Sequence, residues 1–192
     1  SIVVKPAPIP VINAGIDTLL NCTRTTLNLN ATSSIAGTTY AWSNGTNTAT
    51  NAVASPNTYT VTGTANGCTA TDAVVVTQDI TPPAVNAGID TVLNCVRTSL
   101  VLQATSTTTG ATFAWSNGTN TANNTISTPN TYTVTATNPT NGCTASDAVV
   151  VTQDITPPTV NAGIDTVLNC VRTSLVLQAT SNITNATFAW SN

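Results

Sequence analysis

From Thr131 to Thr137 apolar and polar residues alternate without interruption, with Tyr132, Val134 and Ala136 on one face and four threonines on the other. A period of two is that of a strand with one buried face. Earlier, Thr91-Val92-Leu93-Asn94-Cys95 predicts a short strand. Ser99 to Thr105 predicts a second, with Leu100, Leu102 and Ala104 on one side, and Ala111 to Ser116 a third that puts Phe113 beside Trp115. Ile126 marks a weak middle strand, Asn117-Gly118 and Asn141-Gly142 signal turns, and Cys143 to Gln153 reads as the last strand. No stretch carries the 3.6-residue period of a helix.

This order of elements recurs. Asn13-Ala14-Gly15-Ile16-Asp17-Thr18 returns from Asn86 to Thr91 and from Asn161 to Thr166, and the Trp-Ser-Asn of Trp42, Trp115 and Trp190 keeps step, giving a period of 73 to 75 residues. A solenoid rung spans roughly 20 to 50 residues, so this is instead the size of a small domain. Six or seven short strands with a core Trp on the third predict an all-β fold of tandem Ig-like β-sandwiches. Trp42 and Trp115 are expected to be buried against Leu27, Leu29, Leu100 and Leu102. Tyr59 and Tyr132 open the penultimate strands, where each is either a tyrosine corner or a plain core aromatic.

The expected organisation is the end of a preceding domain and a linker over 1–8, one repeat over 9–82 and a second over 83–157. The first half of a third follows over 158–192. Ile2-Val3-Val4 aligns with Val150-Val151-Thr152, the tail of a last strand. The joints, Asp79-Ile80-Thr81-Pro82-Pro83 and Asp154-Ile155-Thr156-Pro157-Pro158, are short, and paired prolines hold the backbone extended. Neighbouring domains should therefore stand nearly end to end. The incomplete ends call for partners from further chain or another copy; a continuous chain in a linear filament is favoured over strand donation.

Composition narrows the function. The chain has no His, Glu or Met, four basic residues and seven aspartates, for a net charge of -3. Acid-base and nucleophilic catalysis lack their usual groups, and neither nucleic acid nor an anionic membrane surface finds a basic patch. No cofactor and no membrane insertion are expected. Thr and Asn make up roughly a third of the residues, which suits strands wetted by hydroxyls and amides.

Five cysteines stand at matched places: Cys22, Cys95 and Cys170 early in each copy, Cys68 and Cys143 late in the two complete ones. Without His or Cys-x-x-Cys spacing they read as disulfides in an oxidising, extracellular setting. Two connectivities are open. Pairing within a repeat gives Cys22–Cys68 and Cys95–Cys143. In an Ig topology, however, the early cysteine ends the first strand at the outgoing pole and the late one opens the last strand at the incoming pole. Six residues of strand separate those poles by about 20 Å, whereas a disulfide tolerates Cα atoms no more than about 7 Å apart. That argument favours Cys22–Cys143 across the joint, with Cys68 left for a preceding domain and Cys95 and Cys170 for later ones. A first strand that switches sheets early would instead bring the intradomain pair together.

Asp79, Asp90, Asp154 and Asp165 flank the joints as weak calcium candidates, weighed against strand-ending carboxylates that accept backbone hydrogen bonds. Arg24, Arg97 and Arg172 follow the early cysteines, either exposed or paired with Asp72 or Asp147. The outward threonines Thr58, Thr60, Thr62 and Thr64, with Thr131, Thr133, Thr135 and Thr137, form ladders that a glycan or ice could use.

Trp-Ser-Asn-Gly, then Pro-x-Thr-Tyr-Thr-Val-Thr, then Asn-Gly-Cys-Thr-Ala occupy Trp42 to Gly45, Pro56 to Thr62 and Asn66 to Ala70, and again Trp115 to Gly118, Pro129 to Thr135 and Asn141 to Ala145. These segments resemble the Ig-like and PKD-like repeats of very large Bacteroidetes surface proteins, SprB-type gliding-motility adhesins among them. The resemblance covers nearly the whole chain and implies a fold and a surface niche rather than a chemistry. Typical PKD repeats carry Trp-Asp-Phe-Gly-Asp-Gly where this chain has Trp-Ser-Asn-Gly. The family also favours Gly where Asn57 and Asn130 stand, residues that tolerate a left-handed backbone. The resemblance further implies O-glycosylation at Thr18, Thr91 and Thr166 in Asp-Thr-apolar acceptors; the alternative is a turn Asp followed by strand. The expected function is a structural repeat of an extracellular filament or adhesin stalk, with neighbouring repeats as partners. The alternative is a binding module for surface glycans or ice.

Overall fold

A computed structural model describes residues 6–191. The expected match of Ile2-Val3-Val4 to a last strand lies outside them. All regular elements among the described residues are strands. In the first repeat these are β1 (Ile12–Asn13), β2 (Thr18–Asn21), β3 (Leu27–Asn30), β4 (Thr32–Ser33), β5 (Thr39–Trp42), β6 (Thr50–Val53), β7 (Asn57–Ala65) and β8 (Cys68–Asp79). One layer is the four-stranded sheet β2-β8-β7-β5; the other is made by β3 with β6 and β1 with β4. The second repeat repeats this plan with β9 (Thr91–Asn94), β10 (Leu100–Gln103), β11 (Thr112–Trp115), β12 (Asn123–Ile126), β13 (Asn130–Thr137) and β14 (Thr144–Asp154), in sheets β11-β13-β14-β9 and β10-β12. The chain is thus a tandem of Ig-like sandwiches.

The alternation seen in sequence is the packing. Tyr132, Val134 and Ala136 are buried, as are Leu100, Leu102 and Ala104 on the opposite layer. Trp115 lies between them with 3 % of its surface exposed, and Trp42 matches it. Each core holds one cluster, Ile12 to Val76 in the first repeat and Ala87 to Val151 in the second. Leu27 is only half-buried at the margin of the first. The indole N–H of Trp42 donates to the Thr48 carbonyl and that of Trp115 to Thr121, both at 3.0 Å, so neither ring buries an unpaired donor.

The Trp-Ser-Asn-Gly motif closes the turn after the core Trp. Gly45 and Gly118 take φ of 91° and 90°, a region open to Gly. Asn44 exchanges two side-chain hydrogen bonds with Asn51, at 3.0 and 3.1 Å, and Thr46 adds a third to the same oxygen. Asn51 is fully buried, and Asn124 repeats the arrangement with Asn117 and Thr119. The two tyrosines are tyrosine corners: Tyr59 Oη donates to the Ser55 carbonyl and Tyr132 Oη to that of Thr128, each four residues back. Asn57 and Asn130 differ from expectation. Neither takes a left-handed backbone; each begins a strand, and its side-chain oxygen accepts the next residue's N–H.

The first strand splits in two. β1 pairs antiparallel with β4, then the chain crosses to the other layer and β2 runs parallel to β8, with Thr18 beside Val76 and Asn21 beside Asp79. Asn13-Ala14-Gly15-Ile16-Asp17 is the crossing. Asn13 Oδ1 accepts the Gly15 N–H, Gly15 takes φ of 97°, Asp72 Oδ2 accepts the Ala14 N–H and Asp17 Oδ1 that of Val75. The second repeat reproduces each bond through Asn86, Asp147 and Asp90.

In residues 158–191, β15 (Val160–Asn161) pairs with β16 (Thr180–Ser181), while the segments matching β9, β10 and β11 join no ladder. Their expected core residues Leu168, Leu177 and Trp190 are each more than half exposed. These residues contain no counterparts of β13 and β14, the strands against which β9 and β11 pair in the second repeat.

The repeats differ where β1 meets β7. Ile12 faces Gly63, and a Cβ on Gly63 would lie 2.1 Å from Ile12 Cδ1; the second repeat places Val85 and Ala136 at these positions. Gly63→Ala is expected to destabilise the first repeat by about 1–3 kcal/mol through overpacking. Ile12→Val in the same chain should restore most of that loss, although alone it costs about 0.5–1.5 kcal/mol. A double-mutant cycle by chemical denaturation measures the coupling, and additive effects would contradict the assignment.

Candidate functional site at the joint between repeats

The parallel pairing of β2 with β8 brings their ends to the same pole. Beyond β2, Asn21 Oδ1 accepts the backbone N–H of Thr23 and of Arg24, at 3.0 and 2.7 Å, a tight turn that carries Cys22 at its start. Beyond β8 runs the linker, and beyond that the second repeat begins. The loop Asn138–Cys143, between β13 and β14, faces this pole. It spans six residues against two for the Asn66-Gly67 hairpin of the first repeat, whose flanking Ala65 and Cys68 pair directly.

Asn141 is the hub of the contact. It is 1 % exposed and uses both ends of its amide. Nδ2 donates to Asp79 Oδ1 and to the Thr81 carbonyl, both at 3.0 Å, while Oδ1 accepts the Cys143 N–H. Its backbone carbonyl accepts the Cys22 N–H at 3.1 Å. One side chain thereby ties the linker, the first repeat and the second. Gly142 sits at φ of 70° directly over Thr23, where a Cβ would come within 2.3 Å of Thr23 Cγ2.

Cys22 and Cys143 form a disulfide with Cα atoms 5.0 Å apart. The bridge therefore crosses the joint. The early switch of sheets does occur, yet it does not favour the intradomain pair, because β2 then runs parallel to β8 and still delivers Cys22 to the outgoing pole. Cys95 and Cys170 are exposed and free; each follows an asparagine, Asn94 or Asn169, that builds the same turn as Asn21. Cys68 is half-buried and free at the start of β8.

The Asp79 carboxyl is held below its ordinary range, first by the Thr81 backbone N–H and second by the Asn141 amide. The other calcium candidates likewise spend oxygens on backbone: Asp90 on Val150 and Asp154 on Thr156. Asp165 lines an open cleft with Leu175 and Trp190. No group of three or more His, Cys, Asp or Glu converges among the described residues. Asp72 and Asp147 serve the strand crossing, and two of the arginines turn elsewhere. Arg97 Nη1 donates to Thr91 Oγ1 at 3.3 Å and Arg172 Nη1 to Thr166 Oγ1 at 3.1 Å, so two of the Asp-Thr hydroxyls hold an arginine. Thr18 and Thr91 are half-buried and Thr166 is exposed. The outward threonines of β7 and β13 lie on the face away from the core, with Thr62 opposite Thr71, Thr64 opposite Thr69 and Thr135 bonded to Ser146.

No protein-family profile matches the chain, and no curated protein does. Among solved structures it is similar to the three N-terminal domains of the bacteriophage RB49 highly immunogenic outer capsid protein, at 18% identity and a TM-score of 0.41, covering 88% of this chain and 67% of that one. It is also similar to the 3Ig structure of titin domains I67–I69, at 12% identity and a TM-score of 0.41, over 78% and 67% of the two chains. A third likeness is to extracellular domains 3–5 of Drosophila OTK, at 14% identity and a TM-score of 0.34, over 77% of this chain and 61% of that one. The chain therefore spans about three fifths to two thirds of these structures.

The joint should respond to acid. Asp79 has a lowered folded-state value, so its contribution is present above the unfolded value of about 3.9 and is lost as pH falls through the lower folded one. Thermal unfolding between pH 6 and pH 2 should show a smaller drop for Asp79→Asn, which keeps an acceptor oxygen without the titration, than for the native chain. Equal drops would remove Asp79 from the joint.

Proposed function

We propose that this chain is a run of structural repeats from an extracellular filament or cell-surface adhesin stalk, in which the repeats over 9–82 and 83–157 supply length and stiffness. The observation that carries this reading is the covalent bridge from Cys22 to Cys143, laid beside the Asp79–Asn141 bond and a linker containing two prolines. A disulfide between neighbouring domains suits an oxidising environment and an array of like units. No helix of the described residues is long and apolar enough to cross a membrane. A catalytic reading lacks support, because the inventory offers neither His nor Glu. Sugar recognition by the Thr-rich faces lacks an aromatic platform there, since Trp42, Trp115, Tyr59 and Tyr132 are buried in the cores.

In this reading the equivalent cysteines continue the pattern: Cys68 pairs with a preceding repeat, Cys95 and Cys170 with later ones. Thr18, Thr91 and Thr166 are acceptors for O-linked sugar, which would hydrate a charge-poor rod at regular intervals. The neighbours in the array are the partners, and the surface setting follows the resemblance to Bacteroidetes repeats.

Electron microscopy of the native material should show an unbranched filament with a repeat near one domain length. Non-reducing peptide mapping should return a Cys22–Cys143 peptide and added sugar mass on the Asp-Thr peptides. A Cys95–Cys143 peptide would overturn the bridge between neighbours, unmodified masses at all three threonines would remove the glycosylation, and globular particles would remove the filament.

A further inference from the structure

We propose that the interdomain disulfide reroutes mechanical tension, so that the bodies of both sandwiches lie outside the load path and the joined repeats cannot be stretched by unfolding. The proposal rests on the structural-repeat reading only where it extends from these two repeats to a longer array.

Tension along an ordinary tandem of Ig-like domains enters each domain through its first strand and leaves through its last. In this topology those strands are parallel neighbours, β2 on β8 and β9 on β14. Pulling them in opposite senses shears the ladder, and once it opens the rest of the domain unravels. Here the bridge intervenes. Tension entering the first repeat passes along β1 and β2 to Cys22, crosses to Cys143, and continues along β14 to Asp154. Everything between Cys22 and Cys143 hangs as a closed loop across 121 positions of sequence. That loop contains β3 to β8 of the first repeat, the linker, and β9 to β13 of the second. None of it is under tension while the bridge holds.

The position of each cysteine makes this work. Cys22 directly follows the last residue of β2 and Cys143 directly precedes the first residue of β14, so each loaded strand is gripped at its covalent end. The free cysteines offer the same grip on the complementary strands. Cys68 is the first residue of β8 and Cys95 directly follows β9, with the linker between them. In an array that repeats the bridge, β8, the linker and β9 form a second covalent line beside the first. The parallel ladders Thr18↔Val76 to Asn21↔Asp79 and Val151↔Thr91 to Asp154↔Asn94 then lie between two lines pulled in the same sense, and carry no shear.

The test is single-molecule stretching of the 192-residue chain from its two ends, without and with dithiothreitol as the thiol reductant. A fully extended chain spans about 3.3–3.6 Å per residue, so the closed loop hides roughly 400 Å of contour length. The untreated chain should reach a final contour length roughly 400 Å shorter than the reduced one and should show no full-length unfolding step for either repeat. The Cys22→Ser, Cys143→Ser double variant should match the reduced chain. The final contour length does not depend on whether that variant or the reduced chain folds, so the comparison stands in either case. Equal contour lengths with and without reductant would overturn the proposal. So would two separate losses of about 150 Å each, the signature of bridges inside single repeats. A chain that shows the missing length while the native material forms no filament would keep the rerouting and discard the structural-repeat reading.

Discussion

The change of sheets by the first strand is the constraint from which the rest of the structure follows. A strand that stayed with β4 throughout would leave the long strand β8 without its parallel partner and would deliver Cys22 to the wrong layer. The crossing needs a backbone that turns through the left-handed region at Gly15 and two N–H groups satisfied away from any ladder. Asp72 accepts the Ala14 N–H and Asn13 that of Gly15, while Asp17 at the end of the crossing accepts the Val75 N–H of β8. The most repetitive hexapeptide in the chain is therefore repeated for a geometric reason. It sets where the first strand ends, and that end sets where the next domain can be attached.

The joint is built from polar contacts of one residue and a covalent bond, not from apolar burial. Asn141 satisfies its whole amide within the joint, a use that a solvent-exposed turn asparagine does not have. The extra length of the Asn138–Cys143 loop lets it reach the linker. Cys143 is 2 % exposed while Cys22 is exposed, so the bridge runs from the interior of the second repeat's loop to the surface of the first repeat. Such an arrangement fixes orientation through directional bonds while leaving the surface of each repeat wet.

Much of the architecture was legible in the chain. Alternation placed Tyr132, Val134 and Ala136 inward, and the aromatic on the third strand located the core. The pole argument, from Ig topology, strand length and the short linker, favoured the Cys22–Cys143 pairing over the intradomain one, and the structure has that bridge. The parts that were not legible have physical causes. Alternation states which face is buried but not which strand is the neighbour, so the parallel pairing of β2 on β8 left no trace in the pattern. Asn51 and Asn124 sit among hydroxyls and amides of similar composition, and only their mutual bonding with Asn44 and Asn117 marks them as interior. The arginine after each early cysteine invited a carboxylate partner, but Asp72 and Asp147, the expected partners, were already committed to backbone N–H groups. In residues 158–191 the strand pattern is as clear as elsewhere, yet a pattern forms strands only when a ladder is there to join.

Adjacent repeats so alike in sequence are at risk of exchanging strands with each other during folding. The paired difference between Ile12 with Gly63 and Val85 with Ala136 bears on that risk. A first strand from the first repeat docked against β13 of the second would drive Ile12 into the methyl group of Ala136, within 2.1 Å by the geometry of its own site. The reverse exchange would set Val85 over Gly63 and leave a gap. The exchange of volume at this contact thus keys each first strand to its own sandwich while both repeats fold on one plan.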